Sequence, residues 1–164
     1  MNKLLVCVMA VLAMPIGAAY AIDYPPLKEG LWQTRMQTIN NPGDKKSEST
    51  IKVCRDHAFD KSAEAMATQQ PGCTTIDDSH SGDVYSNEMR CKAAGSVISA
   101  KSNFAFKGDS AVHAETHITY TPAMYGMADQ TLIQDQAYLG SCPAGMKPGD
   151  LLSPDGTIQH SNGH

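Results

Sequence analysis

The chain has 164 residues, with 13 basic and 17 acidic side chains and 6 histidines, for a formal net charge of −4 at pH 7. That acidic balance, with no basic run and no interleaving of aromatic and basic residues, argues against nucleic acid and anionic membrane surfaces as default partners. The length fits one domain.

The N-terminus has the three parts of a secretory signal peptide. Lys3 supplies a positive start, Leu4 to Ala13 form an unbroken apolar run, Pro15 and Gly17 break it, and Ala19-Tyr20-Ala21 is a small-x-small cleavage site. The run is too short to span a bilayer. Cys7 lies inside the run with no small residues before it, which does not fit a lipid-anchor site. The expected organisation is therefore a signal peptide over 1–21, a single β-rich domain over 22–150 and an irregular tail over 151–164. The mature chain, starting at Ile22, has no membrane span and is expected in the periplasm or otherwise exported.

Without Lys3 the mature chain carries 12 basic and 17 acidic residues, a net charge of −5. Ile, Leu, Val and Phe number only 21 among its 143 residues, with six Met, five Tyr and one Trp adding to the mass available for burial. A core this thin calls for covalent help. Cys54, Cys73, Cys91 and Cys142 supply it, since an even number of cysteines in an exported chain reads as two disulfides. No pair has CxxC spacing, so a zinc ribbon or dithiol redox site is not expected.

In chain order, residues 31–39 alternate with period two, placing Trp32, Thr34, Met36 and Thr38 on one face. Asn40 to Asp44 is a turn, and 48–55 is the returning strand with Ile51 and Val53 inward. Over 57–68 the period changes. Phe59, Ala63 and Met66 make one helical stripe, ended by Pro71-Gly72. Residues 73–78 and 84–91 form a hairpin around Gly82, which sets Cys73 opposite Cys91 at bridging distance and leaves Cys54 for Cys142. Residues 97–107 and 110–120 form a third hairpin, 121–129 a loop with two methionines, and 131–139 a seventh strand. Beyond Cys142 the Pro- and Gly-rich chain reads as mostly irregular. About seven antiparallel strands with one short helix make a mainly β domain, as a twisted sheet, sandwich or partly closed barrel. The strands are too polar for an outer-membrane barrel.

Lys28-Glu29-Gly30-Leu31-Trp32, a cysteine at the end of the second strand, two more in the central hairpin, and the closing run from Ala137 through Leu139-Gly140-Ser141-Cys142-Pro143 to Asp150 resemble the bacterial exported family catalogued as domain of unknown function 3617. The resemblance covers roughly residues 25–150. It implies one small exported domain and no particular activity. His113, His117 and the C-terminal histidines are not part of it.

The sharpest candidate for chemistry is His113-x-Glu115-x-His117, three ligand types on one face of a strand, as an open zinc site would use. The outer two are about 13 Å apart along the strand, which would strain the reach of one ion, and alternation alone predicts a solvated polar face opposite Val112 to Ile118. Met124 and Met127, with His160 and His164 in the tail, would suit copper(I), although methionines also fill gaps in a thin core. Asp77-Asp78 and Asp83 flank a turn, where aspartate is expected for backbone reasons. The chain has no nucleophile elbow, phosphate loop or dinucleotide fingerprint, and Trp32 reads as core. The sequence therefore favours a non-catalytic envelope module without a cofactor, binding a small apolar ligand or an envelope protein. A zinc- or copper-handling protein is the alternative.

Overall fold

The computed structural model describes residues 23–43 and 45–161. The signal peptide expected over 1–21, and His164, lie outside the described residues. The elements are β1 (Gly30–Asn41), β2 (Lys45–Arg55), α1 (His57–Thr68), β3 (Cys73–Ser81), β4 (Val84–Ala93), β5 (Ser96–Lys107), β6 (Ala111–Met124), β7 (Met127–Gly140), β8 (Leu151–Leu152) and β9 (Ile158–Gln159).

The strands make one antiparallel sheet in the order β3-β4-β5-β6-β7-β1-β2-β8-β9. β3 to β7 are a meander of hairpins. β1 docks against the outer side of β7, and α1 carries the chain from the end of β2 across to the opposite edge. The first and last strands in the order do not pair, so the sheet is open. The mainly β, antiparallel fold with one helix matches the reading of the sequence, and two further strands come from the tail. β8 and β9 have two residues each, too short for alternation to reveal. The loop expected over 121–129 is also replaced. β6 and β7 run on through it to a two-residue turn at Tyr125-Gly126, closed by the Met124–Met127 pair. A Tyr-Gly turn with a nearby proline lacks the usual hairpin signature.

Local chemistry explains the helix. Asp56 is extended (φ −130°, ψ 174°) and its carboxylate accepts the Phe59 N–H at 2.7 Å, while Asp60 faces the positive end of the helix. Gly30, at φ +143°, sits where β1 meets β7 beside a bulge, and a Cβ there would run into the Gly140 carbonyl.

Alternation puts Trp32, Thr34 and Met36 of β1 on the inner face with Val53 and Ile51 of β2, Val112 and Ala114 of β6, and Phe106 and Phe104 of β5. The core occupies one end of that face. Trp32 is fully buried and clusters with Leu27, Val53, Phe106 and Val112, with Tyr24, Phe59, Tyr85, Phe104, Tyr138 and Leu151 packed around them. The Trp32 indole N–H donates to the Lys28 carbonyl at 2.7 Å, and the Arg55 guanidinium lies over the ring at 4.9 Å. Ile51, on the same face, is 44% exposed because no layer reaches it. Met66, expected on the inward stripe of α1, is 56% exposed, and no residue of the helix is fully buried.

Disulfides tie down both ends. Cys73 and Cys91 face each other in the β3–β4 register and are bonded, as are Cys54 and Cys142. The two bridges span 18 and 88 residues respectively. The loop-entropy model assigns them about 3 and about 4.6 kcal/mol. Denaturant unfolding of the paired Cys→Ala variants checks this. The Cys54/Cys142 variant should lose more stability than the Cys73/Cys91 variant, and the reverse order would contradict the entropic account.

Candidate functional site

Beyond the aromatic end, the inner face is lined by half-buried side chains: Met36 of β1, Leu132 of β7, Ile118 of β6, Ala100 and Ile98 of β5, and Met89 of β4. Among the described residues, the only element crossing this face is α1. It enters beside the core through Phe59 and leaves toward β3. Polar side chains share the face, Gln134 and Thr38 beside Met36 and Leu132, and three pairs of them are engaged with one another. Ser102 and Thr116 hydroxyls lie 2.9 Å apart, Gln130 donates to Asn40 at 2.6 Å, and Asn87 donates to Asp78. The face offers a ligand methyl and thioether surface interspersed with amide and hydroxyl groups.

Three polar features frame this face. Arg55, mostly buried, pairs with Asp60 of α1 at 2.7 Å and donates to Gln136 of β7 at 2.8 Å, joining helix, β2 and sheet. Tyr24, from the segment before β1, packs against Tyr85, Phe104 and Phe106. Burial, then the Asp78 and Glu64 carboxylates, push its hydroxyl up from 10.0 to about 12. Glu64, on α1, is itself raised by burial and by Asp23. Asp150, 2% exposed, closes the tail. Its carboxylate accepts N–H groups of Lys147 at 2.7 Å and Ser161 at 3.0 Å and meets the His160 ring at 2.9 Å. The Lys147 N–H chiefly holds its pKa below the ordinary carboxylate value, His160 and Ser161 adding to this against the opposing effect of burial. The Asp150 carbonyl also accepts the Cys54 N–H at 3.0 Å, so this clasp sits on the disulfide.

The histidine face falls on the opposite, solvated side of the sheet. His113 pairs with Asp135 at 2.8 Å, His117 reaches Thr131 at 3.4 Å, and Glu115 lies between them opposite Ile133. His113 and His117 each turn to their own cross-strand partner, which keeps the two imidazoles apart. Among the described residues no three His, Cys, Asp or Glu side chains form a group able to hold a metal ion. Met124 and Met127 lie at the far tip of β6–β7, whereas His160 is bound to Asp150 at the core end. Asp77 and Asp78 are successive strand residues and face opposite ways. No described helix is long and apolar enough to cross a membrane.

A family model described as "Protein of unknown function (DUF3617)" matches residues 27–142. The chain belongs to the DUF3617 family. No curated protein matches the sequence. The DUF3617 match runs from the buried Leu27 to the disulfide cysteine Cys142, spanning the core and both bridges. The Asp150 clasp follows it in the chain. Sequence reasoning missed Arg55, Tyr24 and Asp150 as structural anchors. Their partners lie on other elements, and only Asp150, inside Lys147-Pro148-Gly149-Asp150, had a local turn signal.

Tyr24 and Asp150 set opposite pH limits. Tyr24 is raised on folding, so its contribution is complete below pH 10 and is lost as pH climbs through about 12. Asp150 is lowered, so its contribution is present above the ordinary carboxylate pKa and is lost as pH falls through the folded value. Thermal melts across pH should show that Tyr24→Phe removes part of the alkaline loss, and that Asp150→Asn lowers the neutral Tm and blunts the acid loss. Unchanged profiles would contradict both assignments.

Proposed function

We propose that this DUF3617 chain is an exported, non-catalytic binding module of the bacterial cell envelope whose inner sheet face holds a small apolar ligand. One observation carries the reading. Across β1, β7, β6, β5 and β4, the face beyond the core carries half-buried Met36, Leu132, Ile118, Ala100, Ile98 and Met89 among polar side chains, and α1, which leads from the core to β3, has no fully buried residue. A face of this kind, in which neighbouring polar groups are already hydrogen-bonded to each other, favours a ligand with little hydrogen-bonding demand. The aromatic cluster around Trp32 closes one end and gives the face a rigid floor. Export is supported by the apolar run and small-x-small site before Ile22, and by two disulfides, which persist in oxidising compartments.

Titration with a fluorescent long-chain fatty acid tests the assignment. Leu132→Glu places a charge on the inner face and should weaken binding by about tenfold or more. Ile133→Glu, one residue along and on the opposite face, should leave it unchanged. Absence of saturable binding by the wild type, or equal loss in both variants, would overturn the reading.

A further inference from the structure

An open sheet leaves strand edges, and the two long ones here are not alike. β3 is broken by a bulge between Thr75 and Asp77 and carries two successive acids, Asp77 and Asp78, features that discourage a further strand. β2 keeps an unbroken register with β1 from Arg55 to Lys45 and contains neither proline nor glycine. On its other side, among the described residues, Val53 pairs with Leu151 of the tail, while Lys45 to Ile51 are exposed. Ile51 is 44% exposed there.

The tail shows which backbone groups of β2 face outward. The Cys54 N–H donates to the Asp150 carbonyl at 3.0 Å, and the Cys54 carbonyl accepts the Gly149 N–H at 2.8 Å. Cys54 therefore turns its backbone groups away from β1. Alternation along the strand turns those of Lys46, Glu48 and Thr50 the same way. Among the described residues no strand lies against them. The side chains of Lys46 and Glu48 share the outer face, where the Gln37 amide engages one oxygen of Glu48 at 2.9 Å.

We propose that this edge pairs with the same edge of a second copy, antiparallel about a two-fold axis at Ser47. Charge selects the register. With both inner faces on one side of the joined sheet, opposed residues share a face, so the axis passes through a residue rather than between two. An axis at Lys45, Lys46 or Glu48 sets like charges face to face, and one at Ser49 sets Lys46 opposite Lys52. An axis at Thr50 drives the second strand against Val53 and Cys54, which the tail already holds. An axis at Ser47 sets Lys46 opposite Glu48 on both sides of it, and Lys45 opposite Ser49. Each Lys46–Glu48 pair then exchanges both of its outward backbone hydrogen bonds. The β1–β2 turn of the second copy comes to rest beside Ile51, short of the tail. Lysines on an edge ordinarily discourage pairing. Here they reject the other registers and leave one. The paired stretch is short, so the dimer is weak and depends on concentration. It does not depend on the ligand assigned to the inner face.

Sedimentation velocity of the mature protein at low ionic strength and rising concentration tests it. The wild type should pass from monomer to dimer and grow no further. Lys46→Glu and Glu48→Lys should each weaken the dimer by about tenfold, and the double swap should restore it. Net charge separates this register from association elsewhere on the surface. It moves from −5 to −7 in Lys46→Glu and to −3 in Glu48→Lys, so general repulsion would weaken one dimer and strengthen the other. A wild type that stays monomeric at every concentration overturns the proposal. So do single variants that dimerise like the wild type or respond in opposite directions, a double swap that stays monomeric, and assembly beyond a dimer.

Discussion

The burial of one tryptophan governs this domain. The Trp32 ring is fully enclosed at one end of a nine-stranded sheet, and its three neighbours tie three parts of the chain to it. Its N–H holds the segment before β1 through Lys28, Arg55 lies over its face and reaches α1 through Asp60, and Tyr138 meets it edge-on from β7. The chain has too few aliphatic and aromatic residues to repeat such a cluster along a sheet this wide. Core and open face are thus two consequences of the same shortage, and the disulfides compensate for it by restricting the unfolded chain.

That division decides where binding can occur. Near Trp32 the sheet has a packed layer over it and little freedom. Further along, the same face mixes apolar with polar side chains, and α1, the described helix, has no fully buried residue and so little to hold it down.

Much of the fold was legible in local pattern. The strict alternation of β1 and β6 gave the inner and outer faces, a change of period over 57–68 marked the helix, and the Gly82 turn set Cys73 against Cys91. What escaped depends on contacts remote in sequence. The placement of β1 between β7 and β2 leaves no mark on either strand. β8 and β9 exist because Val53 and the Asp150 clasp hold them. The β6–β7 turn has the sequence of a loop because Tyr125 occupies a conformation that favours glycine or asparagine. The candidate site was only half visible. Alternation marked Met36 as inward, but the partial cover over it follows from where the core stops. His113, Glu115 and His117 share one face as the alternation implies, yet cross-strand partners draw the two imidazoles apart.

The most direct test of the central claim is a methionine methyl NMR titration of the mature protein with a long-chain fatty acid. Met36 and Met89 lie on the inner face, while Met66 is on the exposed side of α1 and Met146 in the turn before Asp150. The account predicts that the Met36 and Met89 signals shift with a single saturable curve while Met66 and Met146 stay in place. Uniform movement of all four, or none, would contradict an inner face that holds an apolar ligand.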